Sequence, residues 1–485
     1  SEGVPGAQDD GSDVNWLDEV MQTPFTQVYN LSLRGGSRNT NYTASFEYRG
    51  LNGLIKRTNN KMIYPRIEIT HRMFEDKLKL TASLSGYKQN YFSGSDGGSY
   101  NSAIYRNALT YNPTTPIKDD KGVWSESPSK TDYFNPIALL EEVEGENQAT
   151  NLRMFATAVF TPVKGLDIKY LVSSNTYNQV RGYYETQSHI STVKDDRNGY
   201  ASRGTTRTTE DLSELTAQWK QNILDDHSFT LLAGYSWMNK NYQNYYMQNF
   251  GFPSDDYTYN NMGAGSALTQ GRGTEYSYQS ENKLVGYFGR LNYSFKGKYM
   301  FAASLRHEGS SKFGTNHKWG NFPALSVAWN IKSEGFMDDL KLLSNLKLRA
   351  GYGVTGTEPS DPYMSLNTLS FSTYDYYNGS WIKTIRPASN QNPDLRWEKK
   401  EETNIGLDFG FIEDRITASI DYYNRKTNDL LWDYTVPSPP YLYSSMTANA
   451  GSMRNRGVEV SLTLIPVKND NIQWTSSVNY STNDN

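Results

Sequence analysis

The feature that most constrains this chain is strict alternation of apolar and polar side chains, repeated from one end to the other. Leu78, Leu80, Ala82 and Leu84 fall on one face of an extended segment, with Lys79, Thr81 and Ser83 on the other. Leu346, Leu348, Ala350, Tyr352 and Val354 alternate with Lys347, Arg349, Gly351 and Gly353. Ile405, Leu407, Phe409 and Phe411 alternate with Asn404, Gly406, Asp408 and Gly410, and Val458 to Leu464 behave likewise. The same pattern runs through 285–295, 299–305 and 474–480. Successive side chains of a strand point to opposite faces, so the pattern predicts strands with one apolar and one polar face. Several runs reach about 10–12 residues, against the five or six usual in soluble sheets. At about 3.3 Å per residue and a tilt near 45°, such a strand rises roughly 25 Å, the height of an outer-membrane barrel's apolar band.

Composition agrees. Only 36% of the 485 residues are hydrophobic, and mean hydropathy is −0.71. No stretch approaches the roughly 18 unbroken apolar residues of a membrane-spanning helix. A barrel escapes that test, because lumen-facing polar residues offset its lipid-facing ones. Aromatics reach 14%, with 37 tyrosines; this argues against disorder and suits the girdles that settle at a lipid–water boundary. There is no cysteine, which removes a disulfide scaffold and a thiolate metal site, and the net charge of −4 gives no reason to expect nucleic acid.

Connections alternate between short and long. Tight turns fall at Gly35-Gly36-Ser37, Glu75-Asp76, Lys164-Gly165, Asp225-Asp226, Lys296-Gly297, Glu413-Asp414 and Asn469-Asp470. Between them lie polar, aromatic-rich stretches at 91–148, 179–206, 239–280, 355–398 and 427–453. Short periplasmic turns and long extracellular loops are the rhythm of outer-membrane barrels. The reading is about sixteen strands in eight hairpins, with Ser333–Ser344 as a short helical turn. Ser1 is not followed by a basic and then an apolar stretch, so no signal peptide is expected, and both ends read as lying inside something longer.

Several runs, in order, resemble the SusC/RagA family of TonB-dependent transporters. Leu31-Ser-Leu-Arg-Gly-Gly-Ser37, Tyr42-Thr-Ala-Ser-Phe-Glu-Tyr48 and Gly53-Leu-Ile-Lys56 look like its first barrel hairpin after the plug. Tyr111-Asn-Pro-Thr-Thr-Pro116 and Phe134-Asn-Pro-Ile-Ala138 resemble its proline-marked external loop. Arg306 to Gly314, Trp319 to Trp329 and Leu346 to Gly353 follow the family pattern. The match continues through Asn392-Pro-Asp-Leu-Arg-Trp-Glu398, Thr403 to Asp408, Asp421-Tyr-Tyr-Asn-Arg-Lys426 and Asn449 to Glu459. The resemblance implies an all-β fold: residues 1–485 as part of a 22-stranded transmembrane antiparallel barrel with long extracellular loops, without plug or final strands. It also implies an outer-membrane importer of oligosaccharides, or alternatively oligopeptides, energised through TonB and working with a SusD-like surface lipoprotein. TonB would be reached through an N-terminal region not in this sequence.

Nothing points to an enzyme. His71, His189, His227, His307 and His317 lack metal-ligand spacing, and neither a phosphate-binding loop nor a nucleophile elbow is present. Neither a cofactor nor a metal is expected. Asp9, Asp10 and Asp13 suit a hard cation but read better as an acidic terminal stretch. Substrate contact is assigned to aromatics in the long stretches: Trp124, Tyr133, Phe134, Tyr245, Tyr246, Trp319, Tyr376 and Trp381. Such rings also serve girdles and loop packing. Trp397 fits a girdle position, and Gly309-Ser310-Ser311 reads as a turn at a strand's outer end. Two other classes share parts of this pattern. A passive porin-like channel would have the strands, and a secreted glycan-binding module would have the aromatics but shorter strands with buried apolar faces.

Overall fold

The computed structural model describes residues 9–94, 100–126, 134–224 and 226–485. Its strands are β1 (Thr26–Gly36), β2 (Thr40–Asn52), β3 (Asn59–Met73), β4 (Leu78–Phe92), β5 (Val143–Val163) and β6 (Leu166–Glu185). They continue as β7 (Tyr200–Ile223), β8 (His227–Phe250), β9 (Thr274–Phe295), β10 (Tyr299–Ser310), β11 (Trp319–Asn330) and β12 (Leu343–Thr357). After the hairpin β13 (Leu369–Tyr377) and β14 (Ser380–Pro387) come β15 (Glu398–Phe411) and β16 (Ile416–Asn428). A second hairpin, β17 (Leu431–Thr435) and β18 (Ser445–Asn449), precedes β19 (Ser452–Lys468) and β20 (Gln473–Ser481). Among the described residues there are also four short α-helices: α1 (Trp16–Val20), α2 (Tyr100–Thr110), α3 (Pro136–Glu141) and α4 (Ile190–Lys194).

Sixteen of the strands form one antiparallel sheet in chain order, with β13–β14 and β17–β18 pairing as separate hairpins inside long connections. The expected number of strands is therefore met. Among the described residues no helix is long and apolar enough to cross a membrane. Register shifts fall beside tight turns, at Phe160/Val163, Leu343/Asn345 and Leu464/Val467, and elsewhere the apolar residues of each strand meet those of the next. Leu33 pairs with Ala44, Ala44 with Ile67, Ile67 with Leu84, and Leu84 with Met154. Farther round, Val327 pairs with Ala350, Ala350 with Ile405, Ile405 with Tyr422, and Tyr422 with Val458. These rows are exposed: Leu33 is 59% and Val327 48% accessible. A sheet whose apolar face is bare is the inverse of a soluble sandwich and the arrangement of a lipid-facing wall, with the alternate polar residues turned to the lumen.

Tight turns close one end of the sheet. Glu75 and Asp76, and Glu413 and Asp414, have consecutive positive φ angles, the backbone that narrow hairpins need to follow strand twist. Asp225 lies outside the described residues. The helical turn read at Ser333–Ser344 appears as two 3-10 turns, Ile331–Ser333 and Gly335–Met337. There Glu334 accepts hydrogen bonds from the Tyr299 hydroxyl (2.7 Å), the Trp329 indole (3.0 Å) and the Lys298 ammonium (3.0 Å). These three donors hold its carboxyl well below the usual range, at about 2.

The long-loop end differs from expectation in two ways. First, 179–206 and 239–280 are strand for much of their length, so β7 and β8 reach 24 residues each. At roughly 3.3 Å per residue and 45° tilt they rise a little over twice the height of the lipid band. Above that band both faces are wet, so polarity stops alternating while the hydrogen-bond ladder continues from Glu210↔Lys240 up to Tyr200↔Phe250. Second, the 91–148 stretch contains α2 and α3. Together the tall strands and packed loops form a collar above the band.

Candidate functional site

Three small cores hold the collar, and each joins segments far apart in sequence. The largest covers the mouth: Trp16 and Val20 of α1, Ile104 and Ala108 of α2, Leu139 and Leu140 of α3, and Ile190 of α4 pack together. They close over Val143, Tyr183 and Tyr200, lumen-side residues of β5, β6 and β7. The segment preceding β1 thus lies at the long-loop end. Asn135 explains why the Phe134–Ala138 run is needed here. Its side-chain oxygen accepts from the backbone of Ile137 and Ala138, capping α3, while its amide donates to the carbonyls of Ile117 and Ser125. Pro136 supplies the preset first helical residue.

Beside this core, Glu142 accepts from the Trp124 indole, the Thr186 hydroxyl and the Ser188 hydroxyl. Burial alone pushes its carboxyl up, but these donors outweigh it and leave the group below its ordinary value. Next to it, burial holds the His189 imidazole below its usual value, against the pull of Glu185 and Glu142.

The second core joins three of the family-like runs. Phe313, Phe322, Leu395 and Trp397 are all buried together, with Phe313 and Phe322 ring centroids 4.6 and 5.1 Å from that of Trp397. The Trp397 indole donates to the Lys318 carbonyl, and the Gly314 amide to the Leu395 carbonyl. A Cβ on Gly314 would meet the Pro393 carbonyl oxygen at 2.0 Å, so only glycine permits this approach. Asn449 then ties in the next loop by bonding both the N–H and the carbonyl of Arg396. Trp397 is 4% exposed, so it is a collar core residue and not the girdle residue its sequence context suggested: it sits past a turn that folds inward. Ser310 does end β10, as the Gly-Ser-Ser turn implied. The third core, Tyr184, Ala201 and Phe252, seats the β8–β9 connection against the outer side of the collar.

The aromatics assigned to substrate do not form one cluster. Phe134 packs half-buried against the mouth core and Trp124 is half-buried beside it, with Lys118 3.9 Å from the Trp124 ring centroid and Lys194 5.9 Å from that of Phe134. Tyr133 lies outside the described residues. Trp319 opens β11 on the lipid side, stacked on His307 (4.6 Å) and near Tyr287 (6.2 Å), a girdle arrangement. Tyr376 and Trp381 face each other across the β13–β14 hairpin at 5.4 Å, both well exposed. Tyr245 and Tyr246 are consecutive on β8 and therefore point to opposite faces. By register Tyr246 shares the lumen face with Ser236, and its ring lies 5.4 Å from Tyr276. Tyr242, Tyr276 and Tyr278 on that same face were missed. The available signal was tyrosine at same-face spacing, Tyr242 and Tyr246 four apart and Tyr276 and Tyr278 two apart, in stretches read as loop.

Lower on the lumen face, Arg349 makes two 2.8 Å bonds to Asp408 and one of 3.1 Å to Asp421, bracing β12, β15 and β16. Gly406 leaves the room: a Cβ there would meet Asp421 at 2.5 Å and Arg349 at 2.7 Å. Among the described residues no three His, Cys, Asp or Glu side chains gather as a metal site. The arrangement positions and lines.

Residues 81–485 match the family model described as TonB dependent receptor-like, beta-barrel. The TonB-dependent receptor SusC of Bacteroides thetaiotaomicron is 30% identical over 98% of this chain and 48% of its own length. The TonB-dependent receptor P3 of Formosa agariphila is 28% identical over 98% of the chain and 47% of itself. Among solved structures, the RagAB peptide transporter superposes with a TM-score of 0.81 at 25% identity, over 97% of this chain and 52% of the other. The chain thus spans about half the length of the curated relatives it matches.

Proposed function

The chain belongs to the TonB-dependent receptor β-barrel family, as an outer-membrane protein of the SusC/RagA type, and from that premise we propose that it is the wall of an energised importer of oligosaccharides. The observation carrying this reading is the collinear likeness to SusC across 98% of the chain. In the whole protein, residues 1–485 contribute sixteen strands of a 22-stranded barrel that houses a plug. A SusD-like surface lipoprotein caps the mouth, and substrate is trapped between lid and plug. A TonB-type partner in the inner membrane then displaces the plug. The wall performs no covalent chemistry. Its task is to satisfy every backbone hydrogen bond in lipid while holding the collar in place.

A peptide cargo is the second reading, favoured by the likeness to RagAB, whose own description is a peptide transporter. A passive channel is separated by genetics. Removing the TonB-contacting segment from the full-length gene should abolish uptake of the oligosaccharide that supports growth. Unchanged uptake would sink the energised mechanism.

A further inference from the structure

On the lumen face, the collar parts of β7, β8 and β9 form a continuous uncharged field. Their inward positions run from Tyr200 to Thr208, from Tyr242 to Phe250 and from Thr274 to Asn282, and none carries Asp, Glu, Lys or Arg. Charge returns only below, at the paired Glu210 and Lys240. Within this neutral field Tyr246 pairs with Tyr276, Asn244 with Tyr278, and Tyr242 with Ser280. Ring centroids of Tyr242 and Tyr278 lie 6.2 Å apart. Tyr276 and Tyr278 are 52% and 49% exposed, whereas the neighbouring lumen tyrosines Tyr183 and Tyr200 are shut under the mouth core at 6% and 9%. The open rings are therefore not explained by loop packing.

We propose that this patch is a subsite for the uncharged sugar units of an oligosaccharide. The C–H faces of pyranose rings stack on Tyr276, Tyr278 and Tyr246. The phenol hydroxyls exchange hydrogen bonds with sugar hydroxyls, while Asn244 beside them is held by a 3.1 Å bond from its amide to the Thr206 hydroxyl. Tyr276 and Tyr278 sit two residues apart on one face, roughly 6.6 Å along the strand, comparable with one saccharide unit. A peptide is served less well. The strand amides and carbonyls of β7 and β8 here are engaged in ladders on both sides, and the patch offers no charge for termini or ionic side chains.

The subsite rests on the glycan-importer reading, and the test separates the two. The full-length transporter in detergent is titrated calorimetrically with maltoheptaose, laminarihexaose, xylohexaose, hexagalacturonate and an alanine-rich octapeptide. A neutral oligosaccharide should bind, and the double substitution Tyr276→Ala with Tyr278→Ala should weaken it by about tenfold or more. Tyr276→Phe with Tyr278→Phe keeps the stacking faces and should stay within about threefold. Heat-modifiable gel mobility confirms that each variant is folded. Unchanged binding in the double alanine variant overturns the subsite and leaves the glycan reading standing. Binding of only the octapeptide or hexagalacturonate, or of none of the five, overturns the proposal together with its premise.

Discussion

The lower part of β8, from His227 to Trp237, and its upper part, from Asn239 to Phe250, are one strand in one unbroken register, yet they obey different rules. Below, Phe229, Leu231 and Tyr235 point outward and Ser228, Thr230 and Ser236 inward, because one side meets lipid and the other water. Above, both sides meet water, and the outward Asn241, Gln243 and Tyr245 are hardly less polar than the inward residues. The ladder is indifferent to this change. What holds the lower part is solvent partition between two faces; what holds the upper part is loop cores built by contacts such as Trp16 against Tyr111 and Phe313 against Trp397. Band and collar should therefore fail separately.

The largest effect is expected from Trp397→Ala, which empties the second core and should cost about 3–5 kcal/mol. The damage should stay in the collar. Limited proteolysis should open cuts within 311–318, 358–397 and 429–451 while the heat-modifiable mobility of the barrel persists. Joint loss of both would break the distinction. Next, Val327→Arg places a charge on the lipid face and should cost about 2–4 kcal/mol near mid-band. Gln243→Arg has the same outward parity in the collar and should cost no more than about 0.5 kcal/mol. Equal denaturant sensitivity of the two variants would contradict a lipid boundary between them. Gly314→Ala forces the turn off Pro393 and should cost about 1–3 kcal/mol, read as faster cleavage of the same three loops.

The smallest effect concerns the turn end. Glu334 has its carboxyl lowered to about 2 from an ordinary 4.5, so its charged form stabilises the fold. That contribution is fully present above pH 4.5 and is lost as pH falls through about 2. The difference in thermal midpoint between the parent and Glu334→Gln should be constant above pH 5 or so and vanish towards pH 2. A pH-independent difference would show that Glu334 acts by packing alone.

The band was legible in the sequence because a lipid boundary writes itself as alternation: Leu78 to Leu84 and Ile405 to Phe411 lie as their polarity implied, and the hairpins at Glu75-Asp76 and Glu413-Asp414 fall at the stated turns. The collar was not, since polarity carries no period where both faces are solvated. That is why Tyr200–Thr206 and Asn239–Phe250 read as loop, and why Trp397 read as girdle. Its partner Phe313 lies 84 positions earlier, a pairing no local pattern announces. For candidate ligand contacts the lesson is similar. Aromatic content pointed to the right stretches, but only register separates Tyr246, facing the lumen, from Tyr245 beside it.

The most direct test of the lipid-facing wall uses the absence of cysteine from this chain. Single cysteines placed in the intact protein at each position from Ala324 to Ala328 of β11 can be spin-labelled in liposomes. Their collision rates with oxygen, which concentrates in lipid, and with a water-soluble nickel chelate are then compared. A barrel wall gives a period of two, with labels at Leu325 and Val327 favouring oxygen and those at Ala324, Ser326 and Ala328 favouring the chelate. Uniform access of the chelate to all five positions would contradict it, and with it the placement of this sheet in a membrane.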